Sequence, residues 1–140
     1  SIVQIAIRNN TVGFVGLNPL QTDDTEDDSP YPFTVENDGT VMVDVNISQI
    51  NSDLWRTQAS PSGYFMYKIA NFTGEEGAFN WVGSVTTFTN VPIVNVTAID
   101  QLNFTNSTDI ARVEINVTVP SSEPSGDRST NLSFIAMIAE

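Results

Sequence analysis

The sequence predicts an all-β fold, an antiparallel β-sandwich of about eight or nine strands. Three observations carry this. Apolar and polar residues alternate with a period of two along most of the chain, as half-buried strands require. No stretch shows the 3.6-residue period of an amphipathic helix. Turn-forming residues divide the apolar segments at intervals of roughly 8–15 residues, near the spacing of sandwich strands.

The segments follow in order. Val3, Ile5 and Ile7 alternate with Gln4, Ala6 and Arg8, which makes residues 1–8 a strand. Residues 12–17 are a short apolar run broken by Gly13 and Gly16, and residues 18–32 are a polar loop. Residues 33–36 form a short strand, ended by the turn signal Asn37-Asp38-Gly39. Val41, Val43, Val45 and Ile47 face one way; Met42, Asp44, Asn46 and Ser48 face the other. Residues 51–62 are irregular around Leu54-Trp55. Residues 64–70 carry aromatic side chains on both faces, which suits a central strand. Strands are expected over residues 79–88, 91–99 and 110–119. In the last, Ala111, Val113, Ile115, Val117 and Val119 alternate with Arg112, Glu114, Asn116 and Thr118. A Pro/Ser/Gly loop over 120–128 leads to a closing strand at 132–139. No repeat or linker divides the chain, so residues 1–140 read as one domain.

Composition narrows the function. The chain has no cysteine, so no disulfide supports it, and no histidine. The commonest general base, pH switch and transition-metal ligand are therefore missing. Ser-His-Asp and Cys-His nucleophile systems and the usual zinc sites are excluded. Gly13-Phe14-Val15-Gly16 lacks the spacing and lysine of a phosphate loop. Five basic residues stand against seventeen acidic ones, for a net charge of −12. Such a surface repels nucleic acid and anionic lipid and attracts cations. No segment reaches the roughly 20 apolar residues of a membrane span. Ser1-Ile2-Val3 reads as the start of a mature chain from which a signal peptide has been removed.

Eight of the fourteen asparagines stand in the sequence Asn-x-Ser/Thr: Asn9, Asn46, Asn71, Asn95, Asn103, Asn106, Asn116 and Asn131. With 28 Ser and Thr in 140 residues, chance would supply about three. These are acceptors for N-linked glycans and place the chain outside the cell, at its surface. Asn46, Asn95 and Asn116 fall on the polar faces of strands, while Asn71, Asn103 and Asn106 fall in loops or at strand ends. Asp23, Asp24, Glu26, Asp27 and Asp28 offer oxygen ligands for Ca²⁺ but lack the glycine and spacing of an EF-hand. Their other reading is a solvated loop. No further cofactor is implied. Tyr64, Phe65, Tyr67, Phe79, Trp81 and Phe88 suit a core or, alternatively, a sugar-binding face.

The N-terminal strand has two possible seats. It pairs with its own sheet, or it leaves and completes a neighbour's sheet, with Val3, Ile5 and Ile7 as plugs. Phe33 to Ile47, Leu54-Trp55, Gly63-Tyr64-Phe65 and the ending from Gly126 to Ala136 resemble secreted β-sandwich proteins of hyperthermophilic archaea. The pattern is similar to the TasA/camelysin biofilm-fibre proteins and the archaeal bundling pili and threads. The resemblance covers about half the chain. It implies jelly-roll-like subunits that polymerise by N-terminal donor strands, here residues 1–8. The protease activity proposed for camelysin is not implied, because no catalytic residues match. The long apolar N-terminal helix of type IV pilins is missing.

The expected function is therefore that of a non-enzymatic structural subunit. It belongs to a secreted, N-glycosylated filament, a helical homopolymer joined head-to-tail. The alternative is a cell-surface adhesion or envelope-anchoring domain associated with an S-layer or archaellum. An extracellular carbohydrate-active enzyme would need two carboxylates facing across an aromatic cleft.

Overall fold

The structure is a computed structural model describing residues 1–140. It contains nine strands and no helix: β1 Ile5–Asn9, β2 Thr22–Asp24, β3 Phe33–Asn37, β4 Val43–Ile50, β5 Phe65–Asn71, β6 Thr89–Asn90, β7 Val96–Leu102, β8 Ile110–Thr118 and β9 Asn131–Ile138. All pairings are antiparallel. One sheet runs β1-β3-β8-β5-β6, with β2 also bonded to β8; the other runs β7-β4-β9. The all-β sandwich expected from the alternation is the fold observed.

The core lies between the sheets. Val43, Val45 and Ile47 of β4 and Ile99 and Leu102 of β7 meet Val35, Tyr67, Ile69, Ala111 and Val113 from the larger sheet. Each is at most 1 % exposed, so each contributes the full transfer free energy of its side chain, about 1.5–3 kcal/mol for a Val, Ile or Leu. Tyr67 is buried with the rest, and burial pushes its hydroxyl pKa up to about 12.

β8 is the axis of the larger sheet. Its residues 111–117 pair with β5 on one side. On the other side β2 takes residues 116–118 and β3 takes residues 110–113. Between β2 and β3 the chain leaves the sheet and folds over the outer face of β8. There Thr25 is fully buried, and its hydroxyl donates to Glu114 Oε1 at 2.6 Å while accepting the Ile115 N–H at 2.9 Å. Arg112 donates to Glu114 Oε2 at 3.0 Å and to Asp28 Oδ1 at 2.5 Å, and lies over the Tyr31 ring.

This corrects the expectation for Arg112 and Glu114. Alternation marked them as a solvent face, yet they are 8 % and 4 % exposed. Three other expectations shift. Residues 18–32, expected as a polar loop, contain the short strand β2. Residues 79–88 are turns and loop, leaving the two-residue β6. β7 begins at Val96 rather than residue 91. The turns cover the outer edge of β7, through Asn80 N–H to Asp100 O, Val85 N–H to Ala98 O and Asn103 N–H to Ala78 O. Val85 O also accepts from Ile69 N–H of β5, which ties the two sheets together and closes that side of the sandwich.

The buried Arg112–Glu114 pair yields a prediction. Arg112→Met strands the Glu114 carboxylate and is expected to lower stability by roughly 3–5 kcal/mol in chemical denaturation. Arg112→Met with Glu114→Leu is expected to recover most of that loss. Equal losses for the single and double variants would count against the pairing.

Candidate functional site

The opposite side of the sandwich is open. There β9 bonds to β4 alone, so one edge of an eight-residue strand is unpaired. Asn131–Ile138 contains no charged residue and no proline, in a chain of net charge −12. Ile135, Met137 and Ile138 are 43–59 % exposed. Most natural edges are blunted by charge, proline or a cover, and this one carries neither charge nor proline. Beside it lies a groove of about 770 Å³ floored by Phe65, Val117 and Leu132 and flanked by Leu54 and Trp55.

Residues 10–17 cross this opening. Val12, Phe14 and Leu17 pack against the core, while Val15 is 88 % exposed. None of these eight residues takes part in a backbone–backbone hydrogen bond. The crossing is held by side chains alone, and Gly16 adopts a φ of 69° that glycine tolerates without strain.

β1 occupies the other lip of the opening. It pairs in cis with β3, Ile5 opposite Asn37 and Ile7 opposite Val35, as the outermost strand of its sheet. Ile5 and Ile7 pack against the core; Val3 is 39 % exposed and lies before the strand. Outward-facing Arg8 forms an ion pair with Glu36 of β3. Ahead of β1 the chain crosses the β3–β4 turn. Ile2 N–H donates to Thr40 Oγ1 at 2.8 Å, and Thr40 N–H donates to Ile2 O at 2.9 Å. The approach is so close that a Cβ on Gly39 would collide with the Ile2 carbonyl. The Asn-Asp-Gly signal was legible as a turn, but its second role as a seat for residues 2–4 was not.

Asp109, just ahead of β8, is buried within reach of the charges of Glu36 and Glu75. It is 3 % exposed; its N–H donates to Glu75 Oε1 at 2.8 Å and its carbonyl accepts from Asn37 N–H at 2.9 Å. Its Oδ1 has no partner. Burial, and then the negative charges of Glu36 and Glu75, push its pKa up to about 6. Glu123 behaves in the opposite way. Burial tends to raise its pKa. The Arg128 guanidinium, the N–H groups of Arg56 and Thr57 and the Thr57 hydroxyl outweigh that and hold it down at about 2.

The acidic loop has other partners. Asp24 N–H donates to Asp23 Oδ1, Glu26 N–H to Asp24 Oδ1 and Ser29 N–H to Asp27 Oδ1. Glu26 pairs with Lys68 and Asp28 with Arg112. The five acids are not brought together, and nowhere do three or more Asp or Glu side chains form a group suited to a metal ion.

The sequons separate by environment. Asn71, Asn95, Asn106 and Asn131 are exposed; Asn9, Asn46, Asn103 and Asn116 are half-buried. Asn116, expected on an open polar face, is half-buried between β2 and β5, with its Oδ1 buried and unpartnered. Asn46, Asn95 and Asn131 each accept a side-chain hydrogen bond through Oδ1, from Thr97, Ser48 and Asn51. Asn9 differs, donating its Nδ2 to backbone carbonyls. No protein-family model, curated protein or solved structure matches the chain.

Two outcomes are expected. Asp109 keeps its proton to about pH 6 when folded and releases it near 3.8 when unfolded. Its stabilising contribution is complete below 3.8 and disappears as pH rises through 6. The thermal midpoint should rise as pH falls from 8 to 5, with a smaller rise in Asp109→Asn; identical profiles would refute the assignment. Gly39→Val should unseat residues 1–4, so limited proteolysis should trim them many-fold faster than in the parent while leaving the sandwich intact. Unchanged trimming would show that the close approach is dispensable.

Proposed function

We propose that the chain is a structural subunit of a secreted, N-glycosylated cell-surface filament. Each subunit donates its N-terminal strand to the next, giving a head-to-tail homopolymer without enzymatic activity. The observation that carries this reading is the pairing of an outermost apolar strand with a linker that has no backbone hydrogen bonds. When β1 leaves β3, it breaks one ladder and the contacts of residues 1–4; an incoming β1 from a neighbour restores the same contacts. Strand exchange of this kind costs little because the bonds lost and gained are alike. An exchange that does not close on itself grows a fibre.

Three further features support it. The uncharged β9 edge and the groove beside it offer additional contact surface for a neighbour. Exposed sequons are suited to glycans that block sideways pairing of edges. The resemblance to TasA/camelysin-like fibre proteins and archaeal bundling pili points the same way.

A second reading, a surface-adhesion domain, is favoured by one loop. Trp81 stacks on Phe79 and is 48 % exposed, and neighbouring Val82 is 91 % exposed. An exposed aromatic platform suits a carbohydrate or protein partner.

Ala6 lies opposite Glu36 across the β1–β3 pair, and the chain has no cysteine of its own. Ala6→Cys/Glu36→Cys, oxidised as single subunits, is expected to block fibre growth, with reduction restoring it. Fibres grown reduced and then oxidised should run as a covalent ladder on a denaturing gel. Fibres containing only intrachain bridges would overturn strand donation, and subunits that never assemble would favour the adhesion reading.

A further inference from the structure

Among the eight sequon asparagines, only Asn9 uses its Nδ2 as a donor. The nitrogen lies 2.7 Å from Pro32 O and 3.2 Å from both Tyr31 O and Thr11 O. With three carbonyl oxygens around it, the amide has one sensible orientation, since the flipped form would set oxygen against oxygen. The Asn9 backbone N–H donates to Thr34 Oγ1 at 2.9 Å. Asn9 therefore ties the end of β1 to the start of β3 through both its backbone and its side chain.

N-glycosylation uses the same atom. The Nδ2 nitrogen forms a bond to the anomeric carbon of a lipid-phosphate-linked sugar, the bond from that carbon to the phosphate oxygen breaks, and the nitrogen loses one proton. The product has a bulky sugar in place of one N–H hydrogen. In the docked strand three backbone carbonyl oxygens lie within 3.2 Å of Nδ2, so a sugar on that nitrogen would have to displace at least one of them.

We infer that Asn9 is a clamp for the N-terminal strand, and that a sugar on Asn9 and the docking of that strand on β3 exclude one another. Asn9-Asn10-Thr11 then differs in kind from the exposed sequons such as Asn71 and Asn106. It becomes an acceptor only when β1 is away from β3, and a sugar placed there holds the strand off its own β3 and off a neighbour's. The significance of that control rests on the strand-donation reading; the clamp itself does not.

The test separates the amide from the sequon. Thr11→Ala removes the acceptor sequence but keeps the Asn9 amide and the residue 11 carbonyl. Asn9→Asp removes the Nδ2 donor. In hydrogen exchange, residues 5–9 of Asn9→Asp are expected to exchange at least tenfold faster than those of the parent, and those of Thr11→Ala at the parent rate. Parent-like exchange in Asn9→Asp would overturn the clamp. In parallel, the parent chain is made in a host that glycosylates Asn-x-Thr, and its glycoforms are resolved by mass spectrometry with hydrogen exchange. Protected β1 with Asn71 occupied and Asn9 empty supports exclusion, as does occupied Asn9 with unprotected β1. A glycoform with a sugar on Asn9 and a protected β1 overturns it. Fibres carrying sugar on Asn9 with β1 protected would sink the exclusion and leave strand donation standing; an intact clamp and exclusion in a chain that never assembles would do the reverse.

Discussion

The structure depends on the hydrogen-bond ladder of β8. This one strand is bonded to β5 along one edge and to β2 and β3 along the other. Its inner face supplies Ala111, Val113, Ile115 and Val117 to the core. Its outer face is also buried at Arg112 and Glu114, because the chain between β2 and β3 leaves the ladder and returns. With no disulfide available, a strand that is bonded on both edges and buried on both faces is the strongest anchor such a chain can build. Charge is admitted there only because Arg112, Glu114, Thr25 and Asp28 satisfy one another.

The two sides of the sandwich differ for a related reason. On one side Val85 is bonded to both sheets and the segment around it covers the edge of β7. On the other, two sheet edges face each other, and side chains such as those of residues 12–17 and the edge-on pair Phe33 and Phe134 bridge them. Backbone polar groups left without internal partners must be met by water or by another chain. An acidic surface keeps copies of the chain apart by repulsion, so contact between copies is easiest where charge is absent. The uncharged β9 edge is such a place, and β1 sits across the opening from it.

The candidate site was legible in part. Residues 1–8 stood out as a strand because Val3, Ile5 and Ile7 alternate, and β1 forms at Ile5–Asn9, with Val3 left outside. The seat under residues 2–4 left no sign, since Gly39 reads the same whether it serves a turn alone or a turn and a close neighbour. The acidic loop shows the limit from the other direction. Five acids within six residues suggest a cation site or a solvated loop. Their actual partners, Arg112 and Lys68, lie 84 and 42 residues away in sequence. The eight sequons were equally visible, but only the structure distinguishes Asn9, whose amide nitrogen is engaged, from Asn71 and Asn106, which are exposed.

By itself the sequence determined the fold class, the strands with clean alternation and the kinds of chemistry that are missing. These are local properties: a period of two, turn residues, and the lack of cysteine and histidine can all be read without knowing what touches what. The tertiary structure decided which polar faces are covered, which edge is bare and which carboxyl groups meet. Arg112 and Glu114 have the pattern of a solvent face and are buried, because a loop some ninety residues earlier in the chain lies over them. Burial of a face depends on the whole path of the chain, and a strand's own residues record only which of its two faces is the more apolar.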